Sequence, residues 1–216
     1  MAKVVPIEKL TFKEMLMHFE LYSGLPDGLI QLPCPDTIRI KRKQYVVPKT
    51  MEEFTKSISY GQRLYLTREE ENDIGAILRL INGYYYPFVT GQPWDEEKVF
   101  LIQKYVVNLQ VINIYPLSVH FVAMLKETID REEELLSREY TKTEKAAGIE
   151  KLQVFAELNS LDFLRDVMKC TVAEVLLTPY DECLVRFMNA KAIADYQDRY
   201  LKIQREQIET KPKYAK

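Results

Sequence analysis

Residues Asn82–Val99 read NGYYYPFVTGQPWDEEKV. The aromatic side chains Tyr84, Tyr85, Tyr86, Phe88 and Trp94 fall among Gly83, Pro87, Gly91 and Pro93, residues that normally turn a chain. How this stretch divides decides where the helices on either side end. Asn82 and Gly83 tolerate the left-handed conformation of a helix C-terminus and read as the end of one helix. Pro93 reads as the first residue of the next, with Asp95, Glu96 and Glu97 in the turn where the helix dipole favours acids. Between them lies a connection of about ten residues, richer in aromatics than a joint requires. Tyr and Trp are preferred interface anchors, so Tyr84, Tyr85, Tyr86, Phe88 and Trp94 are expected to form a partner-binding surface rather than a small-molecule pocket.

Outside this stretch, helix starts are marked by capping boxes, in which a Ser or Thr and a Glu three residues on satisfy the first free N–H groups of a helix. They occur at Thr11/Glu14, Thr50/Glu53, Thr67/Glu70, Thr141/Glu144 and Thr171/Glu174, and Pro116 and Pro179 add two starts of the proline type. The expected helices are Phe12 to about Tyr22, Met51–Ser57, Arg68–Ile81, Pro93–Gln110, Pro116–Glu139, Lys142–Leu158, Leu161–Lys169, Val172–Leu177 and Pro179–Gln207. The apolar Pro93–Gln110 helix takes the central place. In the next, Leu117, Phe121, Leu125, Ile129 and Leu136 form one stripe, with Glu132, Glu133 and Glu134 turned mostly outward.

Only Thr37–Val47, TIRIKRKQYVV, changes period. Ile38 and Ile40 alternate with Arg39 and Lys41, which predicts a β-hairpin, with Leu29–Leu32 as a candidate third strand. A lone hairpin is marginal in water and must pack on something else. The expected fold is mainly α: a multi-helix bundle with a small N-terminal β-hairpin and a long C-terminal helix. Residues 1–49 form an N-terminal helix plus β-hairpin appendage, and residues 50–216 a helical domain. On the last helix the apolar seam Tyr180, Cys183, Leu184, Phe187, Met188 and Ala194 fades after Asp195, although the helix would run roughly 40 Å. Its end is expected to project, either fraying in solvent or covered by a partner subunit, in which case Tyr200 and Ile203 are the partner-binding residues.

Composition bounds the function. The 216 residues carry 30 basic and 32 acidic side chains, a net charge of −2 that draws the chain neither to nucleic acid nor to anionic membrane. Cys34, Cys170 and Cys183 show no metal-ligand spacing, which suits a reduced intracellular setting. MAKVVPIEKL lacks the apolar core of a signal peptide, and Val99–Ile114 is too often interrupted by polar residues to span a membrane, so no membrane partner is expected.

No phosphate-cradling GxxxxGK[ST], HExxH or GxSxG is present. His18 and His120 sit among apolar residues and read as partly buried histidines bonded to a carbonyl. The acidic runs Glu69–Glu71 and Glu132–Glu134 read as helix capping and a solvated face. No catalytic, metal-binding or cofactor-binding residue is assigned, and no cofactor is expected. The best enzymatic pairing, His120 with Glu127, stands about 10 Å apart along a helix. The basic cluster Arg39, Lys41, Arg42 and Lys43 is the candidate nucleic-acid contact, although charges on a hairpin also block unwanted strand pairing.

YVVPKT, followed by TMEEFTKSISYGQRLYLT, a helical middle, AGIEKLQVFAELNSLDFLRDVM and TVAEVLLTPYDECLVRFMNAK, resembles small virion or tail-assembly proteins of tailed bacteriophages, including the crAss-like group. The likeness spans about Ile38–Lys191 and lies in layout. It implies a non-enzymatic structural protein, a ring, connector or tail component, or a tail-assembly chaperone. It further implies assembly in the host cytoplasm, a place in the virion, partners among other virion or tail proteins, and several copies. It transfers no functional residue. An intracellular nucleic-acid-binding adaptor using the basic hairpin is the alternative.

Overall fold

A computed structural model of the chain describes residues 6–18, 25–68, 72–138, 142–149, 151 and 155–209. In chain order, α1 spans Phe12–Met17, α2 Leu25–Leu29, β1 Thr37–Ile40, β2 Lys43–Val46, α3 Met51–Lys56, α4 Tyr60–Leu66 and α5 Asp73–Thr90. A 3-10 segment, Glu96–Ile102, then leads to α6 Gln103–Val106, α7 Val111–Leu136, α8 Lys142–Ala146, α9 Ala156–Met168, α10 Val172–Leu177 and α11 Tyr180–Glu209. The protein is mainly helical, with one small antiparallel hairpin near its N-terminus and a long last helix.

The aromatic stretch is not a loop. α5 runs through Asn82 and Gly83 and ends eight residues later, where Gly91 takes φ 70° and caps it. Both were expected to stop the helix, but tertiary contacts override that preference. Asn82 and Gly83 are buried, and a Cβ on Gly83 would stand 2.8 Å from the Tyr65 ring of α4. Small size, not left-handed freedom, is what Gly83 supplies. Pro87 lies inside the helix and has no N–H for the carbonyl four residues back. That carbonyl belongs to Gly83, and Gln62 Nε2 of α4 donates to it at 2.9 Å. A side chain thus replaces the missing helical bond.

α5, rather than the Pro93–Gln110 segment, is the central helix. Ile77, Leu80, Ile81, Tyr84, Tyr85, Tyr86 and Val89 are all buried. The Tyr84 ring lies 4.7 Å from Phe121 of α7 and 5.4 Å from Phe54 of α3, and Tyr85 meets Tyr45 of β2 at 5.9 Å. One core cluster joins these residues to Leu10, Phe12 and Met15 of the N-terminal segment and to Ile38 and Ile40 of the hairpin.

Segment 93–110 is broken because its carbonyls are needed elsewhere. The leading N–H groups of α1 have no partner within that helix. Phe12 N donates to Leu109 O at 2.8 Å and Lys13 N to Val107 O at 2.7 Å, so those carbonyls face α1 and the helix stops at Val106. At the other end the 3-10 segment begins at Glu96 rather than at Pro93, with Asp95 as its N-cap accepting from Glu97 N. α7 likewise begins at Val111, five residues before Pro116, since Val111 N donates to Leu10 O and Val111 and Ile114 are buried.

The capping boxes at Thr11/Glu14 and Thr171/Glu174 are complete. Thr50 accepts from Glu53 N, but the Glu53 carboxylate accepts from Lys49 N instead of closing the box. Thr67 ends α4, and α5 starts at the Asn72 cap, so the start expected at Arg68 moves to Asp73. Glu69–Glu71, Thr141/Glu144 as a box and the expected extension of α1 towards Tyr22 fall outside the described residues. α1 itself ends at Met17. α4 was absent from the expectation because its box, Ser59/Gln62, closes on Gln rather than Glu. The break expected near Leu158 is absent: α9 runs continuously over Ala156–Met168.

The hairpin pairs Thr37 with Val46 and Ile40 with Lys43, and Ile38 and Ile40 are buried as the alternation predicts. Lys41 and Arg42 form its turn with φ 49° and 67°, the double positive φ that matches the twist of a two-residue connection. Leu29–Leu32 adds no strand, since Leu25–Leu29 is helical and Leu32 N closes a turn on Leu29 O.

Gly61 marks the tightest crossing, between α4, α10 and the only tryptophan. A Cβ there would meet Trp94 Cζ3 at 2.6 Å and the Leu176 carbonyl oxygen at 2.8 Å. Gly61→Ala is therefore expected to destabilise by about 1–3 kcal/mol despite the helix preference of alanine. Gly28→Ala, with nothing within 4 Å, is the control and should be neutral or stabilising in the same urea titration.

Candidate functional site

The aromatic residues singled out in the sequence divide in the fold. Tyr84, Tyr85, Tyr86 and Trp94 are buried, so they are core side chains and not exposed anchors. Phe88 alone of that group reaches the surface, at 43% exposure. It borders a shallow groove with Tyr45, Val46 and Pro48. The reason is the continuation of α5: at 100° per residue, the consecutive residues 84–86 turn towards three neighbouring elements, whereas a loop would have left them outside.

Tyr200 and Ile203 are exposed, as expected of a projecting helix. α11 has 30 residues, about 45 Å, and only its first part packs. Tyr180, Cys183 and Leu184 are buried, Phe187 stacks on Phe163 at 5.3 Å, and Lys191 Nζ donates to Leu135 O at 2.9 Å. These residues lie along one side. Met188 and Ala194, read in the sequence as part of that seam, are exposed.

The opposite side of α11 is also apolar. Val185, Ile193, Tyr196, Tyr200 and Ile203 are all exposed, and at 100° per residue they lie roughly across the helix from Cys183 and Phe187. The Tyr196 and Tyr200 rings stack at 6.2 Å and 19°, and Gln204 Nε2 donates to the Tyr200 hydroxyl at 2.7 Å. The sequence assigned Tyr200 and Ile203 of this face to a partner, but not Val185, Ile193 or Tyr196, so the face as a whole was not read. Its signal was the 3-4-3 spacing of residues 193, 196, 200 and 203.

A cavity of about 440 Å³ opens beside the packed part of α11, lined by Tyr60, Arg63, Glu132, Tyr180, Leu184 and Phe187 among others. Glu132 was expected to face outward. Instead its carboxylate takes two hydrogen bonds from the Arg63 guanidinium, Nε to Oε1 at 2.9 Å and Nη2 to Oε2. The pair is four-fifths buried, and each charge cancels the other. Burial pushes the Tyr60 hydroxyl up to about 12, and burial with the Glu132 carboxylate raises Tyr180 further. Neither phenol exchanges a proton near neutrality, and the rest of the wall mixes apolar side chains with the charged Arg63, Arg68, Glu132 and Glu157.

Of the histidines, His120 Nε2 lies 2.7 Å from the Pro48 carbonyl and pins the hairpin exit to α7. His18 is exposed at the C-cap of α1, where its backbone N–H donates to Glu14 O, so it is not partly buried. Among the described residues no group of three or more His, Cys, Asp or Glu could hold a metal ion, and no helix is long and apolar enough to cross a membrane. Arg39, Lys41, Arg42 and Lys43 are exposed around the hairpin turn, and Lys41 Nζ stands 5.7 Å over the Tyr105 ring.

Cys183 is fully buried, and desolvation, aided by Glu182, pushes its thiol up to about 12. Alkylation of the native protein at neutral pH should leave Cys183 unmodified, with labelling appearing only in denaturant; peptide mass mapping reads both. No family model matches this chain, and neither the curated proteins nor the solved structures contain a match to it.

Proposed function

We propose that this chain is a non-enzymatic structural or assembly protein working through protein–protein contacts, a ring, connector or tail component of a tailed-phage particle. The observation that carries the reading is the outward apolar face of α11, a helix held to the body at one end and bare beyond it. Side chains such as Tyr196, Tyr200 and Ile203 gain by leaving water, and aromatic residues on a helix are the usual anchors of such contacts. The resemblance in layout to tail-assembly proteins supplies the setting, assembly in a host cytoplasm and a place in the virion.

Mass spectrometry of purified particles tests this. The chain should appear at a fixed ratio to the major capsid protein, and Tyr200→Glu with Ile203→Glu should remove it. Absence from particles combined with capture of a tail protein during assembly would make it a chaperone. Absence of both would overturn the proposal.

A second reading rests on the four exposed cations of the hairpin, whose clustering suits phosphate contacts. Under it, reversing the charge of Arg42 and Lys43 abolishes DNA retention at low salt; unchanged retention on heparin argues against it.

A further inference from the structure

Resting on the reading of α11 as a contact helix, we infer that its outward face pairs with the same face of a second copy of this chain, the two helices parallel, as a short two-stranded coiled coil. Ile193, Tyr196, Tyr200 and Ile203 repeat with 3-4-3 spacing, the seam of a heptad pattern in which Ile193 and Tyr200 take one core position and Tyr196 and Ile203 the other. The next seam positions, four residues beyond each end, are Asn189 and Gln207, both uncharged. The charged residues between them, Lys191, Asp195, Asp198, Arg199, Lys202, Arg205 and Glu206, all lie off the seam. The face can therefore meet its own copy without like charges in the core.

Charge selects the orientation. In a parallel pair the flanking positions set Ala192 against Gln197 and Arg199 against Gln204 of the second copy, with no repulsion. An antiparallel pair that matches Ile193 with Ile203 sets Arg199 beside Arg199 of the second copy. The body does not obstruct either arrangement, because the contacts of Tyr180, Cys183, Leu184 and Phe187 hold it to the other side of the helix. The stack of Tyr196 on Tyr200 already orders the centre of the seam in one copy, which lowers the entropy lost on pairing. A seam of two heptads is short, so the pair is expected to dissociate on dilution.

Sedimentation velocity of the full chain across a wide concentration range is the test. A monomer at low concentration should give way to a dimer at high concentration. Tyr196→Glu with Tyr200→Glu should leave a monomer throughout while melting and far-ultraviolet dichroism stay unchanged, since both side chains are exposed. Ile193→Cys should cross-link to itself in the oxidised dimer; cross-linking only in a mixture with Ile203→Cys would overturn the parallel arrangement. A wild-type monomer at every concentration would overturn self-pairing. If that monomer still enters particles, the proposed function stands and the face serves another protein. If it does not enter them and captures no tail protein, both fall.

Discussion

Phe121→Ala is expected to cost about 3–5 kcal/mol, the largest loss of any truncation in the aromatic core. Phe121 is fully buried, and its ring is the common neighbour of Tyr84 at 4.7 Å, Phe54 at 5.8 Å and Tyr85 at 6.0 Å. Removing it strips contacts from α3, α5 and α7 together, and neither α5 nor α7 is free to close the gap because each is pinned elsewhere. α7 is held by the His120 contact with Pro48 O, and α5 by the Gln62 bond to Gly83 O. The melting temperature should fall by about 6–20 °C for a chain of this size. A loss below about 1 kcal/mol in urea unfolding would mean the cluster repacks and is not the core the geometry describes.

Gln62→Leu is expected to cost about 2–4 kcal/mol, although leucine suits a buried helix position. Gln62 is buried and has two tasks. Its Oε1 accepts from Ser59 N at 3.0 Å and completes the cap of α4, while its Nε2 donates to the Gly83 carbonyl that Pro87 leaves unpaired. Gln62→Glu separates them, keeping the cap acceptor and losing the donor. Pro87→Ala restores a helical N–H for Gly83, so the double variant Gln62→Leu with Pro87→Ala should be more stable than Gln62→Leu alone. Additive losses in that cycle would refute the replacement of a helical bond by a side chain.

These two residues also show why the sequence could be read only in part. Helix starts that depend on neighbours in sequence were legible at Thr11, Thr50 and Thr171, and so was the hairpin, whose two-residue alternation survives as Ile38 and Ile40 buried beneath exposed cations. Helix ends were not, wherever the deciding partner is distant. Pro87 reads as a helix breaker because the group that rescues its helix, Gln62, lies 25 positions away. Val107 and Leu109 read as helix because nothing local shows that α1 takes their carbonyls. The candidate contact surface shifted for the same reason. Once α5 continued, Tyr84, Tyr85, Tyr86 and Trp94 became core, and the exposed apolar area passed to α11.

By itself, then, the sequence determined what short-range chemistry controls: a mainly helical chain, its capped starts, one hairpin, a last helix longer than its core needs. The tertiary structure decided what depends on groups far apart in sequence meeting in space. It carried α5 through asparagine, glycine and proline, because a glutamine bond and tight packing outweigh local preference. It turned the aromatic run inward and left the second face of α11 bare, since a helix of that length outruns the body that could cover it.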